Sequence, residues 1–281
     1  MIAKDILTKS YVKVGLDDSV AHMVGKMRRA KKHYALVFDG KKYLGMVGRK
    51  FLLTSRIDPS KMKVGNIVKK RSKSKTPFYV PLLKPDTDAQ EVARLMATAG
   101  THALPVEDKS KIIGVVQALD LAREIAPEYR KVASEELASM NLKTLNYDDE
   151  IGKALEMMHK GHIEHIPITD DRGKLAGLVA ASNFVEEYVL WNAYTKMKLP
   201  RSATHQKGKR HGYGVKDKIH TMRVPIEQIM TPVVCQTNPT VKINTAIKKM
   251  VENNVTSIVL TRNNIPAGIL TLNDVFKDYA K

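Results

Sequence analysis

Tyr43-Leu-Gly45-Met-Val-Gly48, Ile112-Ile-Gly114-Val-Val-Gln117, Leu175-Ala-Gly177-Leu-Val-Ala180 and Pro266-Ala-Gly268-Ile-Leu-Thr271 are one phrase written four times. Each copy is an apolar strand interrupted by glycine, and each follows an amphipathic helix, a second apolar strand and a short polar turn. Working outward, every copy reads as an extended apolar stretch, a helix, a strand, a turn, the glycine strand and a closing helix. A unit of this size cannot bury its apolar faces alone, so the copies are expected to pack on one another.

The first repeat covers 1–56, with a helix from Asp17 to Lys31 that places Val20, Met23, Val24 and Met27 at helical spacing, a strand from Tyr34 to Phe38 and an Asp39-Gly40 turn. The second covers 64–127, with helix Asp86 to Ala99, strand His102 to Val106 and a last helix opened by Asp120. The third covers 131–190, with helix Asp148 to Lys160, strand Glu164 to Thr169 and a last helix running past Trp191. The fourth covers 224–281, with helix Val241 to Asn253, strand Ser257 to Thr261 and a turn at Arg262 to Asn264. Asp or Thr ahead of each main helix supplies the expected N-cap. The fold class is therefore α/β, four β-α-β-β-α repeats in two pairs, with 191–223 inserted between repeats three and four.

Apolar residues make up 43% of the 281-residue chain, an ordinary fraction for a globular protein. No apolar run approaches the roughly 18 residues of a membrane span. The N-terminus has an acidic residue and no apolar signal core, so a cytoplasmic protein with no membrane partner is expected. The single cysteine, Cys235, has no partner for an intrachain disulfide and sits in an apolar stretch, which suits a core thiol.

The net charge of +18 is unevenly distributed: residues 1–76 carry +15, residues 77–190 carry −7 and residues 191–281 carry +10. Clustering like charges costs self-repulsion, so an anionic partner is expected at the basic ends. Lys69, Lys70, Arg71, Lys73 and Lys75 crowd a seven-residue loop. The insertion adds Lys196, Lys198, Arg201, Lys207, Lys209, Arg210, Lys216, Lys218 and Arg223, interleaved with Trp191, Tyr194 and Tyr213. Arg28, Arg29, Lys31 and Lys32 end a helix of repeat one, on what this reading makes an exposed face. Such a surface suits a large RNA, whose phosphates release counterions on contact while aromatic rings stack on bases.

The repeat, with Leu104-Pro-Val106 and Ile166-Pro-Ile168 on middle strands and Gly-apolar-apolar-Thr-x-x-Asp on the last, resembles the CBS motif. The resemblance implies two CBS pairs, each with symmetry-related clefts, stacking into a disc; many family members bind adenine nucleotides there. In the family pattern the Thr or Ser after the glycine strand contacts phosphate, and the Asp opening the next helix takes the ribose hydroxyls. Repeat four matches with Gly268, Thr271 and Asp274, and repeat two keeps Gly114 and Asp120 but has Gln117 for Thr. Repeat three has Ala180 and Asn183, and repeat one has Gly48 and Phe51. The resemblance thus implies AMP, ADP or ATP as a regulatory ligand, with repeat four the best cleft. Asp274 as a plain helix cap is the alternative.

In plan and basicity the chain is also similar to archaeal CBS-domain ribosome-associated dormancy factors. That similarity implies a homodimer whose basic loops grip ribosomal RNA, on the small subunit, and hold ribosomal subunits inactive under nucleotide control. The competing reading is an adenine-nucleotide sensor controlling a partner enzyme, like the regulatory subunit of AMP-activated kinases. No nucleophile and base arrangement stands out, so no enzyme is expected. His159, His162, Glu164 and His165 have a superficially metal-like spacing, but a helix ends and a strand begins among them, so no metal is expected. His165, before Ile-Pro, matches His102, before Ala-Leu-Pro.

Overall fold

A computed structural model describes residues 1–48, 62–67, 80–161, 163–180, 182–184 and 225–281. The repeat-one elements are α1 (Ala3–Ile6), β1 (Lys13–Gly15), α2 (Val20–Arg29), β2 (Tyr34–Asp39) and β3 (Lys42–Gly48). Repeat two has α3 (Val64–Ile67), α4 (Ala89–Ala99), β4 (Ala103–Asp108), β5 (Lys111–Gln117) and α5 (Ala118–Ile125), followed by a 3-10 turn at Ala126–Tyr129. Repeat three has α6 (Ser134–Leu137), β6 (Leu145–Asn146), α7 (Ile151–Gly161), β7 (His165–Thr169) and β8 (Leu175–Ala180). Repeat four has a 3-10 turn at Ile226–Gln228, then β9 (Gln236–Thr237), α8 (Ile243–Glu252), β10 (Ser257–Arg262), β11 (Ile265–Thr271) and α9 (Leu272–Tyr279).

The four copies share one small sheet. The first strand pairs parallel with the second, which pairs antiparallel with the glycine strand, as in β1-β2-β3, β6-β7-β8 and β9-β10-β11. In repeat two a lone parallel bridge from Leu83 to Val106 stands for the first strand. The register slips at one equivalent place in every copy, at Val37/Phe38, Val106/Glu107, Ile168/Thr169 and Leu260/Thr261. A shared bulge of this kind is a feature of the motif rather than an accident.

The described chain forms two compact units. One comprises 1–48, 62–67, 80–142 and 235–281; its main core joins repeats two and four through Met96, Leu121, Ile125, Ile247, Met250 and Phe276. A smaller core in that unit packs Tyr34, Leu36 and Phe38 of repeat one beside Ala103 and Val115 of repeat two. The other unit, 143–180, 182–184 and 225–234, has its own core around Ile151, Ile166, Ile168, Val179, Phe184 and Ile226.

Repeat pairing is written in the short lead-in before each first strand, which docks on another repeat. Residues 1–8 lie on repeat two, bridging Ile2 to Asp88 and Thr8 to Val115, and residues 62–67 return the favour by bridging Lys63 to Ser19. Residues 133–139 lie on repeat four through bridges from Ala133 to Lys242 and Ser139 to Ile269, while 225–231 lie on repeat three through Pro225 to Glu150 and Thr231 to Leu178. The pairs are thus one with two and three with four, each by exchanged lead-ins.

This exchange changes how the helices start. The expected Asp and Thr caps are met in part: α4 is capped by Asp88, which accepts from Glu91 N–H at 2.8 Å, whereas α2 is capped by Ser19, which accepts from His22 N–H at 3.1 Å, and α8 has no side-chain cap. Partner lead-ins supply carbonyls instead. Val20 N–H donates to Met62 O at 2.9 Å, Ala89 N–H to Met1 O at 3.2 Å and Ile243 N–H to Val132 O at 3.0 Å. Asp18 and Asp149 act one turn earlier, accepting from Gly15 and Asn146 N–H at 2.9 Å, so these helices begin two or three residues later than expected.

Candidate functional site

Three of the glycines that decide the fold, Gly114, Gly177 and Gly268, face these lead-ins. A Cβ built on Gly114 would lie 2.6 Å from Leu7 Cδ1 and 2.9 Å from Thr8 O; on Gly268, 2.6 Å from Met140 Sδ; on Gly177, 2.5 Å from Met230 Sδ. Only glycine lets the partner segment lie this close to the strand. Gly114 and Gly268 were expected to serve a ligand, and their identity is accounted for by packing.

The two aspartates of the signature do different work. In repeat four, Asp274 Oδ2 accepts from Thr271 N–H at 2.9 Å and from Thr271 Oγ1 at 2.7 Å, while Asp274 N–H donates to Thr271 Oγ1 at 3.3 Å. This is a capping box closing the first turn of α9. Asn183 does part of the same job in repeat three, accepting from Ala180 N–H at 2.8 Å and donating to Thr231 Oγ1 at 3.1 Å.

Repeat two is built differently. Gln117 Nε2 donates to Asp120 Oδ2 at 2.9 Å, Arg123 Nη1 lies 3.5 Å from Asp120 Oδ1, and Gln117 Oε1 accepts from Lys32 Nζ of repeat one. Lys32 was expected on an open basic face; it is instead half-buried where repeat one meets Gln117 of repeat two. Burial pulls its ammonium below the ordinary lysine range, and the negative charge of Asp120 opposes that shift. Beside it, His33 and His102, which directly precede β2 and β4, meet edge to face with centroids 6.2 Å apart.

Tyr34, the first residue of β2, is 4% exposed and its hydroxyl has no hydrogen-bond partner. Burial pushes its phenol far above the ordinary tyrosine range and Asp120 raises it further, so the group stays protonated. The boundary between repeats one and two therefore gathers a carboxylate, an ammonium, an amide, two imidazoles and a buried orphan hydroxyl. The Thr-x-x-Asp pattern points to Asp120 but carries no signal for Tyr34 and His33, whose proximity to it needs both repeats. Strand register also moves one expected match: His165 pairs with Ala180 as Ala103 pairs with Gln117, so Glu164, not His165, corresponds to His102.

Of the expected RNA-binding residues, Arg28, Arg29 and Lys31 are exposed at the end of α2. Lys69, Lys70, Arg71, Lys73, Lys75, Lys196, Lys198, Arg201, Lys207, Lys209, Arg210, Tyr213, Lys216 and Lys218 lie outside the described residues. Cys235 is half-buried, and burial raises its thiol pKa. Among the described residues no three His, Cys, Asp or Glu side chains converge as a metal site, and no helix is long and apolar enough to cross a membrane.

The CBS domain matches residues 3–50, 77–127, 134–189 and 226–281. The chain belongs to the CBS domain family. Its four CBS repeats make two CBS pairs in a mixed α/β fold. Protein MJ1225 of Methanocaldococcus jannaschii, proposed to be an archaeal homolog of γ-AMPK, has a similar structure: TM-score 0.77 at 16% identity, covering 99% of this chain and all of that one. A conserved protein from Pyrococcus horikoshii aligns over 99% of this chain with TM-score 0.61 and 17% identity. These identities speak for the CBS fold alone. By sequence, the uncharacterized protein MJ1404 of M. jannaschii is 24% identical over 98% of this chain, which spans 61% of that protein. Inosine-5'-monophosphate dehydrogenase of Aquifex aeolicus is 35% identical over 44% of this chain, and the match spans 26% of that enzyme.

Proposed function

We propose that this CBS protein is a regulatory module that binds an adenine nucleotide in the cleft between repeats one and two. The observation that carries the reading is the polar set at Asp120, reached by Lys32 across the repeat boundary and overlooked by the unpartnered Tyr34 hydroxyl. An ionised carboxylate accepts two neighbouring ribose hydroxyls well, and an ammonium close by offsets phosphate charge. The likeness to a proposed γ-AMPK homolog and to part of a nucleotide-processing dehydrogenase favours a sensor over a ribosome-binding factor. Repeat four, with Thr271 and Asp274, is the second candidate site. Calorimetric titration with AMP, ADP and ATP tests the reading: saturable binding lost in Asp120→Ala supports it, and undiminished binding in that variant sinks it.

One observation favours a second reading, RNA contact. Lys31 holds φ +52° just after α2, a left-handed position taken by Gly100 after α4 and by Asn254 after α8. A lysine tolerates this backbone at a cost of about 1 kcal/mol, and it adds an exposed cation beside Arg28 and Arg29. Sedimentation with ribosomal subunits at low and high salt tests this: salt-sensitive association weakened by replacing all three with Ala is the expected result, and indifference to the triple change would remove this face from any RNA interface.

A further inference from the structure

Gln117 stands where repeat four has Thr271, and only the longer amide reaches between repeats. Its two ends are committed in opposite senses. The carbonyl accepts from Lys32 Nζ, and the amino group donates at 2.9 Å to Asp120 Oδ2. An ammonium only donates and a carboxylate only accepts, so one orientation of the amide satisfies both neighbours. The acceptor that a ribose would need is therefore already engaged by Gln117 on one oxygen and approached by Arg123 on the other. In repeat four the short hydroxyl and carboxylate satisfy each other within one helical turn, and among the described residues no side chain of another repeat bonds Asp274.

The Tyr34 hydroxyl supplies an independent observation. It is buried, protonated and without a partner, although buried polar groups are nearly always hydrogen-bonded. A donor left open on a residue two along the chain from Lys32 fits an acceptor that arrives with the ligand.

We propose that Gln117 is a gate, an internal occupant that a ribose ligand must push aside, and that the Lys32 ammonium it releases favours phosphorylated adenosine over the bare nucleoside. The proposal rests on the ligand-binding reading of this cleft. A ribose whose hydroxyls take both oxygens of Asp120 pushes the Gln117 amide aside, and this strands the Lys32 ammonium in a half-buried site. A neutral nucleoside leaves that ammonium without an acceptor. An anionic nucleotide gives its ribose to Asp120 and its phosphate oxygens to Lys32 and the Tyr34 hydroxyl, so both broken hydrogen bonds are replaced by charge-assisted ones.

The test is calorimetric titration of the full chain with AMP and with adenosine, in the wild type, Gln117→Ala and Tyr34→Phe, with circular dichroism to check folding. The wild type should prefer AMP. In Gln117→Ala both ligands should gain about tenfold, the worth of a hydrogen bond to a charged group, with the AMP preference kept because Lys32 sets it. Tyr34→Phe removes no hydrogen bond from the free protein, so it should stay folded while AMP weakens about fivefold and adenosine does not change. Binding by Gln117→Ala where the wild type binds neither ligand also supports the gate. Equal affinity of the wild type for both ligands, or affinities unchanged in Gln117→Ala, overturns the gate and leaves the ligand site standing. If no adenine compound binds either protein, the gate and the sensor reading fall together.

Discussion

Repeat four keeps the full Thr and Asp signature, whereas repeat two has lost its Thr, yet their structures reverse the ranking those letters suggest. In repeat four Thr271 and Asp274 spend their polar atoms on each other and on the first backbone N–H groups of α9. In repeat two Asp120 does not accept from the backbone N–H of Gln117 in this way, and it faces Gln117, Arg123 and the neighbourhood of Lys32 and Tyr34. The same residue types thus serve a helix terminus in one place and an inter-repeat polar cleft in another. A three-residue signature has two physical jobs, and its surroundings select between them.

The largest expected effect separates the two aspartates directly. Asp120→Ala should weaken AMP about a hundredfold in calorimetry, losing two hydrogen bonds to a charged acceptor, while Asp274→Ala should change affinity by less than about threefold. The opposite ranking would return the principal site to repeat four.

Next in size is the packing of the two glycine strands. Gly114→Ala presses a methyl on Thr8 O, a backbone atom, and should cost about 2 kcal/mol in chemical denaturation; Gly268→Ala meets mainly the flexible Met140 thioether and should cost less than about 1 kcal/mol. Equal costs would mean that the lead-ins shift as readily on one repeat as on the other.

Thr271→Ala should lower stability by about 1 kcal/mol through the lost cap of α9. An unchanged thermal melt would mean that Thr271 does not hold the start of that helix. The smallest effect concerns pH. Because the folded state holds the Tyr34 proton beyond the range where the unfolded chain releases it, stability should fall as pH rises above about 10. Tyr34→Phe should flatten that fall. Tyr129, whose phenol is raised by burial and by Asp278, leaves a residual slope.

Much of the repeat was legible because its apolar periodicities are local. The strand beginning at Tyr34, the glycine strands and the helix ending at Ala99 fall where their patterns place them. Helix starts were less legible, since α2, α4 and α8 take carbonyls from segments of other repeats, and no local rule for Asp or Thr anticipates a cap supplied by Met62, Met1 or Val132. Lys32 was misjudged for a related reason. Its place after a run of basic residues suggests a solvated helix end, but the exchange of lead-ins between repeats one and two puts it beside Gln117.

The sequence by itself determined the four-fold β-α-β-β-α phrase, the need for glycine in each third strand and the polarised charge, because these follow from side-chain periodicity and composition along the chain. Only the tertiary structure decided which repeats pair, what each glycine accommodates and which aspartate looks into a cleft. Those depend on atoms far apart in sequence meeting within a few ångströms, as Lys32 meets Gln117 and Leu7 meets Gly114. Such contacts are selected by packing the whole unit, whose buried faces stabilise one arrangement of the repeats over others.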